Sequence, residues 1–157
     1  MIVTTIEDIV DGFKPEDETD HFTDSRFEWI WKMANASKGE IGERLIARVR
    51  NGTRVTDVEE YDVVVGSEKH EVKLACLRAR GTYAWNQIRL DYDYTHLSLI
   101  AVNPEVIRIF IVPKNKIPED RLNRQHGGKN TDGDNYVYES KKRNWPPDWM
   151  LKYEFTL

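Results

Sequence analysis

Two stretches of apolar and β-branched residues lie close together in the second half of the chain and limit the folds that it can adopt. Residues 96–102 (HLSLIAV) and 106–113 (VIRIFIVP) are separated only by Asn103-Pro104-Glu105. Runs of this kind favour β-strands, and a short link with Asn and Pro favours a turn between them. The sequence therefore predicts a β-hairpin, and a purely helical fold is not expected.

Further strands and helices are predicted on both sides of this hairpin. Strands are expected where residues are β-branched or alternate in polarity, at residues 59–66, 70–77 and 135–140. Helices are expected from helical spacing of apolar residues or from a preceding Pro pair, at residues 22–35, 38–51, 82–90 and 147–154. This order is typical of an α/β or α+β domain, with a central mixed β-sheet flanked by helices.

The length of 157 residues suits one domain without disulfides, and the chain has a single cysteine, Cys76. We expect a core over about residues 36–113, an N-terminal helical extension over 1–35 and a C-terminal loop, strand and helix over 114–157. The sequence shows no secretory signal or membrane-spanning stretch, so a cytoplasmic protein without a membrane partner is expected. No P-loop, GxSxG or HExxH motif is present, and we expect no nucleotide cofactor.

One group of charged residues falls on the predicted strands. Asp62 lies in the strand 59–66, and Glu71-Val72-Lys73 lies in the strand 70–77. Residues i and i+2 of a strand share a face, so Glu71 and Lys73 point together while Val72 points to the other side. Asp62, Glu71 and the Val72 carbonyl then offer hard oxygen ligands suited to Mg²⁺, and the Lys73 ammonium can hold a water or offset charge on a phosphate. Such a site is suited to phosphodiester hydrolysis.

An E-x-K tripeptide alone is also compatible with ordinary pairing of charges on a strand. The valines after Asp62 and the apolar residues around Lys73 indicate buried strands, on which charges are costly unless they serve a metal or a pair. A structural ion pair between Glu71 and Lys73 is the alternative to a metal site.

The pattern Asp62…Glu71-Val72-Lys73, preceded by a predicted helix with residues 39–45 (GEIGERL), resembles the PD-(D/E)XK nuclease superfamily. The resemblance spans about residues 36–113 and implies a restriction-endonuclease-like core. It also implies that Glu43 is the acid of the first helix, with Glu40 as the second choice. Gln87, on the predicted helix after the E-x-K strand, resembles the glutamine that many members place near the site.

This resemblance implies a Mg²⁺-dependent DNA endonuclease, with Mn²⁺ as a possible substitute, and a type II restriction endonuclease first of all. Two alternatives stay open: a repair or recombination nuclease such as a junction resolvase, and a non-catalytic nucleic-acid-binding module. The catalytic set is then Glu43, Asp62, Glu71, Lys73 and Gln87.

The segment 114–145 is the expected source of contacts with double-stranded DNA. It is rich in basic and amide side chains, which can neutralise phosphates and read base edges. A solvated polar loop is the alternative. The residues proposed to bind DNA are Arg124, Gln125, His126, Lys129, Lys141, Lys142 and Arg143. A palindromic site would require a homodimer, because one chain carries one active site and a duplex offers two scissile phosphates.

Overall fold

The computed structural model describes residues 5–11, 13, 21–125 and 135–157. The helices in this part of the chain are α1 (Ile6–Asp11), α2 (Glu28–Trp31), α3 (Asn35–Val49) and α4 (Asp148–Leu151). The strands are β1 (Thr53–Arg54), β2 (Val63–Val65), β3 (Glu68–Cys76), β4 (Ala84–Arg89), β5 (His96–Val102), β6 (Ile107–Pro113), β7 (Asn123–Arg124), β8 (Asn135–Glu139) and β9 (Glu154–Phe155). Among these helices, none has both the length and the apolar character needed to cross a membrane.

Six strands form a mixed sheet in the order β1-β2-β3-β5-β6-β9. Strands β3 and β5 run parallel, and the other neighbours are antiparallel. The predicted hairpin is confirmed, because β5 pairs with β6 and Leu99 lies opposite Phe110. A mixed sheet with few helices makes this an α+β fold, in agreement with the sequence.

The chain leaves the main sheet after β3 and returns to it as β5. Between them it forms β4, which belongs to a second sheet of order β4-β8-β7. Because β5 comes back beside β3 in the same direction, the carboxyl ends of both strands meet at one edge of the sheet. The second sheet packs against the main one through apolar residues such as Trp85, Leu99 and Phe110.

Helix α3 covers the opposite face of the main sheet and is held close to it by Gly42. A Cβ atom at this glycine would lie only 3.3 Å from Val72 Cγ1 and from Ile100 Cδ1. The helix therefore approaches β3 and β5 at the one buried position that has no side chain. It ends before Asn51, whose φ of 53° lies in the left-handed region where Asn is tolerated.

The predicted helix over 82–90 is wrong, because these residues form β4. Tyr83, Trp85 and Ile88 are buried, and the pairing of β4 with β8 shifts between Trp85 and Ile88. This irregularity lengthens the spacing of buried residues from two to three. A spacing of three resembles that of a helix, which explains the wrong prediction. Gln87 lies at the irregularity itself, on a strand and not on a helix, and its φ is 55°.

Two other predicted helices are much shorter than expected. Before α3 begins at Asn35, the helical part of 22–35 is reduced to Glu28–Trp31, since Phe22 is fully buried and the Phe27 N–H donates to Pro104 O at 3.0 Å instead of continuing a helix. The terminal helix spans Asp148–Leu151 and is followed by β9, which pairs with β6. The main sheet thus extends beyond residues 36–113.

The remaining predicted elements keep their type but change their bounds. The helix predicted at 38–51 is α3 and the strand predicted at 70–77 is β3. The strand predicted at 135–140 is β8. In the predicted loop 114–135, the described residues form two 3-10 turns, Lys114–Lys116 and Glu119–Arg121, followed by β7.

Candidate active site

A cleft of about 1180 Å³ opens between α3, β3 and β4. The five residues that were predicted to be catalytic all line it: Glu43, Asp62, Glu71, Lys73 and Gln87. They come from a helix, two neighbouring strand regions of the main sheet and one strand of the second sheet. The fold therefore brings together side chains from four separate parts of the sequence.

Glu71 is the most buried charged residue of the cleft. Alternation along β3 places it on the same face as Lys73, and the Lys73 Nζ lies 3.4 Å from Glu71 Oε1. The other carboxyl oxygen, Oε2, is buried and has no hydrogen-bond partner among the described residues. Burial raises the pKa of Glu71 to about 8; Lys73 opposes this shift and the nearby Asp62 adds to it.

Asp62 is held beside Glu71 by the backbone. Its Oδ2 accepts a hydrogen bond of 2.9 Å from the Val72 N–H, and its own N–H donates to His70 O at 2.8 Å. The strand expected at 59–66 is reduced to β2, so Asp62 immediately precedes that strand instead of lying inside it. Hydrogen bonding to charged acceptors is strong, and the carboxylate is therefore fixed in place.

Val72 separates the two faces of β3 as the sequence predicts. Its side chain packs in the core beneath α3, together with Ile46 and Ile100. Glu71 and Lys73 lie on the other face and line the cleft. The role of the Val72 carbonyl as a metal ligand stays a prediction.

Glu43 approaches the cleft from α3. Burial raises the pKa of its carboxyl, the Asp62 carboxylate adds to the shift, and Arg54 opposes it from 3.3 Å. Glu40, the second choice for this position, is 57% exposed and lies 3.7 Å from Arg54. Glu43, and not Glu40, therefore lines the cleft together with Asp62 and Glu71.

Gln87 forms part of the cleft wall from β4. Its side chain is exposed, and its N–H donates a hydrogen bond of 3.0 Å to Gln125 Oε1. This contact brings the segment after β7, from which DNA contacts were predicted, to the edge of the cleft.

The other predicted DNA-binding residues lie at the surface or outside the described part of the chain. Arg124 is exposed on β7 and its guanidinium lies over the Tyr136 ring. Lys141, Lys142 and Arg143 are exposed. His126 and Lys129 lie outside the described residues.

Three basic residues of the cleft are not among the residues predicted from the sequence: Lys38, Arg78 and Arg80. Arg78 is 2.7 Å from Glu139 and also contacts Thr82, whereas Arg80 is 70% exposed. A signal was present, because Arg78-Ala79-Arg80-Gly81 directly follows the strand that carries Glu71. Cations just beyond that strand are well placed to meet a phosphate near the cleft.

The cleft therefore combines three carboxyl groups with a lysine at its centre and three further cations around it. Asp62 raises the pKa of both Glu43 and Glu71, which shows that the ionised carboxyl groups destabilise each other, and a divalent cation relieves such repulsion. No family model matches the chain, and the search of curated proteins finds no sequence match.

Proposed function

We propose that the chain is a Mg²⁺-dependent DNA endonuclease of the PD-(D/E)XK type, with a restriction-endonuclease-like core. The observation that carries this proposal is the buried Glu71 Oε2, which lacks a hydrogen-bond partner among the described residues and lies beside Asp62 and Lys73. An ionised Glu71 paired with Lys73 alone would leave this oxygen unsatisfied, at a cost of about 1–3 kcal/mol or more, whereas a bound cation or a proton shared with Asp62 satisfies it.

The donor set fits Mg²⁺. Asp62 and Glu71 would hold the ion together with the Val72 carbonyl, and Glu43 would complete the acidic wall on the α3 side. Hard oxygen ligands of this kind prefer Mg²⁺, and Mn²⁺ is the expected substitute. When bound, the ion would lower the pKa of a water and neutralise charge that develops on the phosphate.

The chain's own residues have separate tasks in this proposal. The Val72 N–H holds the Asp62 carboxylate in the cleft, where it would be available to hold the ion. Lys73 Nζ positions the attacking water and offsets negative charge on the phosphate. Glu71 must be ionised to hold the ion, and Lys73 at 3.4 Å favours that form.

The substrate class is double-stranded DNA, cleaved by a homodimer as in type II restriction. The cations around the cleft, Lys38, Arg78 and Arg80, support a polyanionic substrate. A junction resolvase would use the same centre on branched DNA, so substrate shape separates the two possibilities.

The test is cleavage of a randomised duplex library and of a four-way junction in Mg²⁺. We expect the wild-type chain to cut the duplex, and Glu71→Ala and Lys73→Ala to lose at least about 100-fold in rate while duplex binding in Ca²⁺ persists. Lys69→Ala is the matched control, since Lys69 lies on the same face of β3 but pairs with Asp93 at 2.9 Å. It should retain activity.

Three outcomes would count against the proposal. Equal cleavage by Lys73→Ala and wild type would remove the lysine from the mechanism. Cleavage of the four-way junction but not of the duplex would identify a junction resolvase and not a restriction endonuclease. Absence of cleavage of either substrate, with full binding, would identify a non-catalytic module.

A further inference from the structure

A second cluster of ionisable side chains lies on the face of β3 opposite Glu71 and Lys73. It consists of Glu68 and His70 on β3 and His96 on β5. The parallel register pairs His70 with His96, and their rings stack with centroids 5.0 Å apart. His70 is fully buried, whereas Glu68 and His96 are partly exposed, so the cluster reaches from the interior of the sheet to its surface.

The three side chains converge on one point. Glu68 Oε1 lies 3.0 Å from His70 Nε2 and 3.5 Å from His96 Nδ1, and one ligand atom from each residue falls within 4.8 Å of the others. Donors about 2.0–2.1 Å from a tetrahedral Zn²⁺ lie about 3.3 Å from each other. The separations of 3.0 and 3.5 Å from Glu68 Oε1 are close to that value, and the two imidazole nitrogens lie within 4.8 Å of each other.

Neighbouring groups orient the cluster as they do around metal ligands. The Ser98 hydroxyl lies 2.8 Å from His70 Nδ1, which leaves Nε2 facing Glu68. Arg50 binds the second carboxyl oxygen of Glu68 at 3.1 Å. Hydrogen bonds on the far side of ligating His and carboxylate groups fix their direction and strengthen metal binding.

We infer that Glu68, His70 and His96 form a binding site for a divalent transition-metal ion, with Zn²⁺ as the best match. Two imidazoles and one carboxylate suit Zn²⁺ and disfavour Mg²⁺, which prefers oxygen ligands alone. The site is therefore distinct from the carboxylate cleft in position and in metal preference. A groove of about 360 Å³, which Glu68 and His96 line, leaves room for a water as the fourth ligand.

The ion would join the first residues of β3 to those of β5. These two strands form the only parallel pair that the described part of the main sheet contains. Since His70 immediately precedes Glu71, an ion here would also restrain the strand that carries the E-x-K residues. Binding to the folded state alone raises stability by mass action.

The experiment titrates the metal-free full-length chain with Zn²⁺ by calorimetry and follows its thermal unfolding. The background variant is Asp62→Asn, which weakens the carboxylate cleft and so removes a competing site. We expect one equivalent of Zn²⁺ to bind in this background and to raise the unfolding temperature. Adding His96→Gln or Glu68→Gln should weaken binding by at least about 10-fold.

His21→Gln is the matched control, because His21 lies in the other cleft and contacts Leu77 O. Added to the same background, it should leave Zn²⁺ binding unchanged. X-ray absorption at the zinc edge of the wild-type chain, which needs no variant to fold, should report two imidazole ligands. The inference is overturned if no equivalent binds, if His96→Gln binds as tightly as its parent, or if fewer than two imidazoles are found.

Discussion

At the scale of single residues, Glu71 links the stability of the chain to its proposed chemistry. Its carboxyl is buried beside Asp62, so ionisation is unfavourable in the folded state without a cation. The same arrangement favours the binding of a metal cation, because the cation would stabilise the ionised carboxyl groups. We expect these buried carboxyl groups to lower the stability of the folded state until the ion binds. Such a loss of stability is common where polar groups are arranged for function.

The raised pKa of Glu71 predicts that the stability of the folded state depends on pH. The pKa of Glu71 is raised to about 8, so the folded state binds more protons than the unfolded state between about pH 4.5 and 8, and stability falls as pH rises through that window. His70, whose pKa burial lowers to about 4, has the opposite slope below about pH 6.5. The Glu71 effect should therefore dominate from about pH 6.5 to 8.

In urea unfolding with EDTA, we expect the wild-type free energy of unfolding to fall across that interval by about 2 kcal/mol relative to Glu71→Gln. Subtraction of the variant removes the contributions of other groups. Mg²⁺ should reduce the wild-type decline, because the ion favours the ionised carboxyl. Parallel curves for the two proteins in EDTA would show that Glu71 is ionised as easily as a free carboxyl.

At the scale of secondary structure, the features that the sequence predicts correctly are those whose signal lies in neighbouring residues. Glu71 and Lys73 are two residues apart, so strand alternation alone predicts that they share a face. The hairpin β5–β6 is equally local. The irregularity in β4 hides the strand in the sequence, because it spaces the buried residues as in a helix. The pairing of His70 with His96 depends on the parallel register of β3 and β5, which no local pattern reveals.

The position of α3 on the sheet can be tested through its glycines. A Cβ at Gly42 would lie 3.3 Å from Val72 Cγ1, whereas a Cβ at Gly39 has nothing within 4 Å. Replacing glycine by valine changes the intrinsic helix propensity equally at both sites, so the difference reports the packing alone. We expect Gly42→Val to be less stable than Gly39→Val by about 1–3 kcal/mol in urea unfolding.

Gly42→Val should also reduce cleavage more than its loss of stability explains, since pushing the helix away displaces the adjacent Glu43. Comparable stabilities for the two variants would mean that α3 moves away from β3 without cost, and the proposed position of Glu43 would lose its support.

At the scale of the whole molecule, charge is distributed unevenly. The formal net charge is −4, yet the cleft is lined by four cations against three carboxyl groups. A bound divalent ion would enlarge this small excess of positive charge, and local positive charge can attract a polyanion to an acidic protein. The sequence could indicate basic residues in 114–145, but it could not show which of them lie near the cleft.

Lys142 provides the connection between this C-terminal segment and the cleft. Its side chain lies over Gly81, where a Cβ would be 3.4 Å from Lys142 Cδ, and Gly81 follows the cleft residue Arg80. If duplex DNA enters the cleft, Lys142 and its neighbour Lys141 should meet phosphates. Each phosphate contact releases counterions and steepens the dependence of binding on salt.

Replacing Lys141 and Lys142 together by Ala should therefore weaken binding to all duplexes alike and lower the slope of log K against log salt by about 2. The measurement is a fluorescence-anisotropy titration in Ca²⁺ at several salt concentrations. Arg48→Ala with Lys152→Ala is the matched control, since it removes two exposed cations that are not part of the cleft wall. If both double variants change the slope equally, binding reflects general attraction to positive charge, and the C-terminal segment does not form the DNA-binding surface.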